Sequence, residues 1–100
     1  MRRTHDILVS YDVDTTSAAG RRRLRRVAKV CTAFGQRVQY SVFECCVSDM
    51  DLEKLRRKLL DVLESAEDSL RIYRLRQPRE EHLEVYGRDR WIDFEGPLVV

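Results

Sequence analysis

Leu8–Val27, LVSYDVDTTSAAGRRRLRRV, runs from a hydrophobic strand, past a carboxylate, into a helix studded with arginine. The β-branched and aromatic residues of Ile7–Val13 predict the strand. Alternation puts Val9, Tyr11 and Val13 on one face and Leu8, Ser10 and Asp12 on the other. Asp12 therefore closes a face whose earlier members are apolar or small. An aspartate at that point commonly caps the following loop, and Asp14-Thr15-Thr16 supplies turn chemistry as well. The competing reading is a metal-binding or catalytic carboxylate.

From Ser17 to Phe34, the residues Leu24, Val27, Ala28, Cys31 and Phe34 recur at intervals of three and four, the stripe of an amphipathic helix. Thr16 or Ser17 supplies its N-cap, and Gly35 stands where a left-handed C-terminal residue belongs. Arg22, Arg25, Arg26 and Lys29 fall on the opposite face. Arg21, Arg22 and Arg23 lie near the helix start, where positive charge opposes the dipole. A helix selected only for stability would carry acids there, so the pattern suits a phosphate. An ordinary solvated face is the alternative.

Gln36–Val47 is dense in strand formers and lacks the Gly or Asn of a tight hairpin. It reads either as one long bent strand or as two strands meeting near Tyr40-Ser41. Ser48 and Asp51 form a capping-box pair for a second helix, whose core face is Leu52, Leu55, Leu59 and Leu63. Leu70–Leu75 is a further strand. This order predicts an α+β, ferredoxin-like βαββαβ sandwich with two helices on one face of an antiparallel sheet. Residues 1–78 make that domain. Residues 79–100 form a charged extension, with a weak strand pattern at Leu83–Tyr86, and end on Leu98, Val99 and Val100. Since the four-stranded core is complete without it, the tail is expected to add a strand to a sheet edge, preferably that of the partner in a two-fold homodimer.

One hundred residues with 43% hydrophobic and 36% charged content fit a single globular domain. No apolar run approaches the roughly 18–20 residues of a membrane span, and the first residues do not resemble a signal peptide, so the chain is expected in the cytoplasm. Cys31, Cys45 and Cys46 are an odd set with two neighbours on a strand, which argues for reduced packing residues rather than a disulfide or metal site. The net charge of +2 conceals an asymmetry. Through Tyr40, nine Arg/Lys face three Asp, a balance of +6; from Ser41, ten face fourteen Asp/Glu, a balance of −4. The first part is suited to an anionic partner. His5 and His82 read as ordinary surface histidines.

Taken together, LVSYDVDTT, the arginine helix, QRVQYSVFEC and EDSLRIYRL resemble the CRISPR-associated protein two family, the small subunit of spacer acquisition, and EGPLVV resembles the tail of its subtype I-C members. The resemblance implies a ferredoxin-like homodimer that works with an integrase subunit, binds duplex DNA, and pairs its tail strand with the other protomer's sheet. It also implies that the matching aspartate, Asp12, faces its two-fold mate and that the pair can hold a divalent ion, Mg2+ or Mn2+, for endonuclease activity on DNA or RNA. Asp14 is close enough in sequence to assist. Magnesium suits such a site, because one or two carboxylates with water commonly suffice. A second hypothesis is a non-catalytic scaffold in which Arg22, Arg25, Arg26 and Arg37 neutralise phosphates without reading bases. A third, a single-stranded RNA module, needs aromatics on one open sheet face. Tyr40 and Phe43, three apart, would point to opposite faces.

Overall fold

The computed structural model describes residues 3–91. Strand β1 (Thr4–Asp12) carries Ile7, Val9 and Tyr11 inward, a direction that Val13 continues just past its end. Helix α1 (Ala18–Thr32) follows, then β2 (Gln36–Gln39), β3 (Val42–Ser48), helix α2 (Asp49–Val62) and β4 (Ser69–Arg74). The four strands form one antiparallel sheet in the order β2-β3-β1-β4. This is the ferredoxin-like α+β arrangement. Phe43, Cys45 and Val47 of β3 join the β1 residues against Val27 and Cys31 of α1 and Leu52, Leu55 and Leu59 of α2. Leu8, Ser10 and Asp12, out of phase with that core, face away from the helices.

Both helix starts are capped as their sequences require. The Ser17 hydroxyl accepts from the Gly20 N–H, and the Ser48 hydroxyl from the Asp51 N–H. The end of α1 differs from expectation. Gly35 is not left-handed, and among the described residues Gly87 is the one glycine with positive φ. Ala33 closes the helix instead. Gly35 is demanded by proximity, since a Cβ there would lie 2.4 Å from both Cys45 Sγ and the Glu44 carbonyl oxygen.

Of the two readings of Gln36–Val47, the structure realises two strands, joined by a turn at Tyr40-Ser41, with an irregularity between Arg37 and Gln39. Among the described residues no non-glycine residue takes positive φ, so the turn forms without the Gly or Asn that marks the commonest tight hairpins.

Beyond β4 the chain passes a cis Gln77–Pro78 bond into a short 3-10 turn (Arg79–Glu81), and Leu83–Tyr86 forms no strand. Arg79 Nε donates to Glu44 Oε1 at 2.6 Å, and its guanidinium lies 4.1 Å from the Trp91 ring centroid. These contacts return the segment over the part of the outer sheet face built by Leu8, Val42 and Glu44. The expected tail residues Leu98, Val99 and Val100 lie outside the described residues. No helix among those described is long and apolar enough to cross a membrane.

Candidate nuclease site and nucleic-acid interface

Asp12 is the last residue of β1, opposite Ser69, the first of β4. It is exposed, and among the described residues no side chain or backbone group hydrogen-bonds or ion-pairs with its carboxylate. Its acidic neighbours are all committed. Asp14 Oδ1 accepts from the Thr16 N–H at 2.9 Å and from Thr16 Oγ1 at 2.7 Å, and these bonds lower its pKa. Asp14 Oδ1 is thus the loop's own cap.

Asp68 closes the next loop. Its side chain is fully buried and accepts from Arg23 Nε at 2.8 Å, the Glu64 N–H at 2.9 Å and the Asp14 N–H at 3.0 Å. The Arg23 guanidinium and those N–H groups hold its pKa down to about 2, against the cost of burial. One carboxylate therefore ties the loop after Asp12 to the loop before β4. The local sequence around Asp68 carries no signal of this positioning role.

The same contact explains part of the misplaced charge at the start of α1. Arg23 is bound to Asp68 and Glu67, and Arg21 Nη1 donates to the Thr15 carbonyl. Arg22, Arg25 and Arg26 remain exposed, with no ion-pair partner among the described residues. Arg37 behaves differently from those three: its guanidinium packs 5.2 Å from the Phe43 ring centroid. It also sits beside Tyr11, whose pKa burial raises and the Arg37 guanidinium opposes. The structure thus sets Asp12 in phase with the outer sheet face and the α1 arginines on the helical side. It does not bring them together within one chain.

Arg71, which the sequence reading passed over inside a strand, faces outward opposite Ser10 and so shares Asp12's side of the sheet. Its Nη1 donates to the Tyr73 hydroxyl at 2.8 Å. The alternation of β4 was the available signal, since Arg71 lies two residues from the partner of Asp12. His5, expected at the surface, is largely buried and pairs through Nε2 with Asp49 at the start of α2. Among the cysteines, Cys31 and Cys45 are core thiols raised by burial to about 11 and about 12, whereas Cys46 is exposed on the outer face.

The family model described as CRISPR associated protein Cas2 matches residues 5–82. The chain belongs to the Cas2 family. It is 52% identical over 94 residues, covering 94% of this chain and 98% of the relative, to CRISPR-associated endoribonuclease Cas2 1 of Moorella thermoacetica. It is 46% identical over 93 residues, covering 93% of this chain and 97% of the relative, to CRISPR-associated endonuclease Cas2 of Halalkalibacterium halodurans. The crystal structure of Streptococcus pyogenes Cas2 at pH 6.5 superposes with a TM-score of 0.74 at 43% identity, covering 82% of this chain and 99% of that one. The Cas2 match includes Asp12, Tyr40, Asp68 and Arg71 within its span.

Proposed function

We propose that this Cas2-family chain is a divalent-metal-dependent endonuclease centred on Asp12, and that as a homodimer it binds duplex DNA beside an integrase subunit in spacer acquisition. The observation that carries the nuclease reading is the uncommitted Asp12 carboxylate, set among acids that are all engaged in structure. The relatives named endoribonuclease and endonuclease support the same reaction class.

The donor set fits magnesium or manganese in a particular way. Among the described residues, no group of three or more His, Cys, Asp or Glu side chains could hold a metal. One exposed carboxylate per chain suits a shared site, with a second copy's Asp12, water and substrate phosphate providing the other oxygens. When bound, such an ion supplies polarisation of a phosphoryl oxygen and acidification of water. The chain's contribution is orientation: the Asp14 cap and the Asp68 knot fix the backbone on which Asp12 stands.

Purified protein should cut RNA or DNA only with Mg2+ or Mn2+. Asp12→Asn keeps the side chain's shape and removes its charge, so it should lower the rate by at least about a hundredfold. Sedimentation should show the dimer intact. Cleavage by Asp12→Asn at the wild-type rate would refute the assignment. The scaffold reading draws on a separate observation, the exposed Arg22, Arg25 and Arg26 without ion-pair partners among the described residues, and predicts DNA binding that is independent of Asp12.

A further inference from the structure

A cleft of about 380 Å3 lies between α1 and α2, within the size range of ligand sites. Its floor is apolar: Val30, Phe34 and Val62 each pack against the core, line the cleft and stay only partly buried, and Ala33 is exposed beside them. Its rim is cationic. Arg26, Lys29 and Lys58 line it, all three exposed, and no Asp or Glu does. None of the three pairs with a carboxylate among the described residues. The Lys58 ammonium instead lies 5.7 Å from the Phe34 ring centroid, so charge and apolar floor belong to one surface.

That combination selects its occupant. A DNA duplex offers a polar phosphate ribbon, which gains nothing from valines and a phenylalanine. A neutral apolar segment would cover the floor but strip water from three cations and give them no acceptor in return. A segment with apolar side chains on one face and carboxylates beside them satisfies both parts, and α1, with six Arg/Lys and no acid, supplies no such carboxylate itself. From Arg26 to Phe34 the cleft runs along about 12 Å of helix, the length of roughly two turns of a second helix laid into it.

We propose that the cleft between α1 and α2 is a docking groove for a short acidic, amphipathic helix of a protein partner. Its apolar side chains lie on Val30, Phe34 and Val62, and its Asp or Glu residues meet Arg26, Lys29 and Lys58. The apolar floor supplies the attraction, and the rim charges set orientation and exclude neutral or basic segments. The groove uses none of the residues assigned to strand scission, so it stands apart from the reading of Asp12. Arg26 belongs both to the exposed arginine row and to this rim; Lys29 and Lys58 are therefore the residues that test the groove.

The test uses the isotope-labelled full chain and two synthetic probes: a helical peptide with leucines at i, i+4 and i+7 among Asp and Glu, and the same peptide with serine in place of leucine. The leucine peptide should shift the amide resonances of Val30, Ala33 and Val62, and the serine peptide should leave them in place. Replacing Lys29 and Lys58 together by Gln should weaken binding of the leucine peptide by roughly two- to thirtyfold. Ala33→Gln, which sets a longer polar side chain into the cleft from an exposed position, should weaken it by about fourfold or more. The proposal is overturned if the leucine peptide moves none of these resonances, if the serine peptide binds equally well, or if the double lysine variant and Ala33→Gln both bind as wild type does. It is also overturned if a blunt DNA duplex moves the same floor resonances, the outcome expected of a phosphate-binding surface. Cleavage by Asp12→Asn, measured separately with magnesium, reports on the nuclease reading without altering these results.

Discussion

Asp68 shows how a single buried charge can matter to a site that it never touches. It receives Arg23 and two backbone N–H groups, so removing the carboxylate leaves two loop donors without their acceptor and Arg23 with Glu67 alone. Breaking one side of a buried ion pair is strongly destabilising. Asp68→Ala should lower the melting temperature by at least about 10 °C, as read by circular dichroism. The pH dependence has a definite sign. With a native pKa of about 2, below the ordinary value of 3.8, the unfolded chain takes up a proton before the folded one does. Stability from this group is complete above about pH 4–5 and is lost as pH falls through about 2. Wild type should therefore lose melting temperature over that interval more steeply than Asp68→Asn. Parallel acid profiles would show that Asp68 is not the titrating link.

At the scale of elements, the alternation of β1 and the three–four spacing of both helices were enough to read the layers and to place Asp12 outside the core. Periodicity records burial directly, and here burial follows it. What stayed hidden depended on contacts between distant segments. The Tyr40-Ser41 turn lacks the glycine or asparagine signal because its backbone needs no positive φ. The Arg23–Asp68 pair joins residues 45 positions apart, which no local pattern announces. Gly35 sits at a helix end and so looked like a left-handed cap, whereas its real constraint comes from β3. Gly35→Ala places a methyl group 2.4 Å from the Glu44 carbonyl oxygen and the Cys45 sulfur, and the former is backbone. Overpacking of this kind should cost about 1–3 kcal/mol in urea denaturation. A stabilised variant, which is what relief of glycine entropy alone would give, would contradict the close-approach explanation.

For the molecule as a whole, the sheet separates two chemistries. Arg22, Arg25 and Arg26 ride on α1, on the helical side, and Asp12 is in phase with the outer face, so the two groups belong to opposite layers of the fold. Acid and arginines are adjacent along the chain and divided in three dimensions by the layer that the strand belongs to. Duplex binding by the arginine face and strand scission at Asp12 should accordingly be separable. Replacing Arg22 and Arg26 by Glu should weaken duplex DNA binding and, if each arginine neutralises one phosphate, reduce the slope of log affinity against log salt by about 1.8. The same double variant should cleave a short single-stranded oligonucleotide at the wild-type rate under magnesium. Asp12→Asn should show the converse, with an unchanged duplex salt slope and lost cleavage. If the double arginine variant loses cleavage while its fold and dimer persist, the helical face participates in the reaction after all, and the strand must then wrap from one side of the sheet to the other.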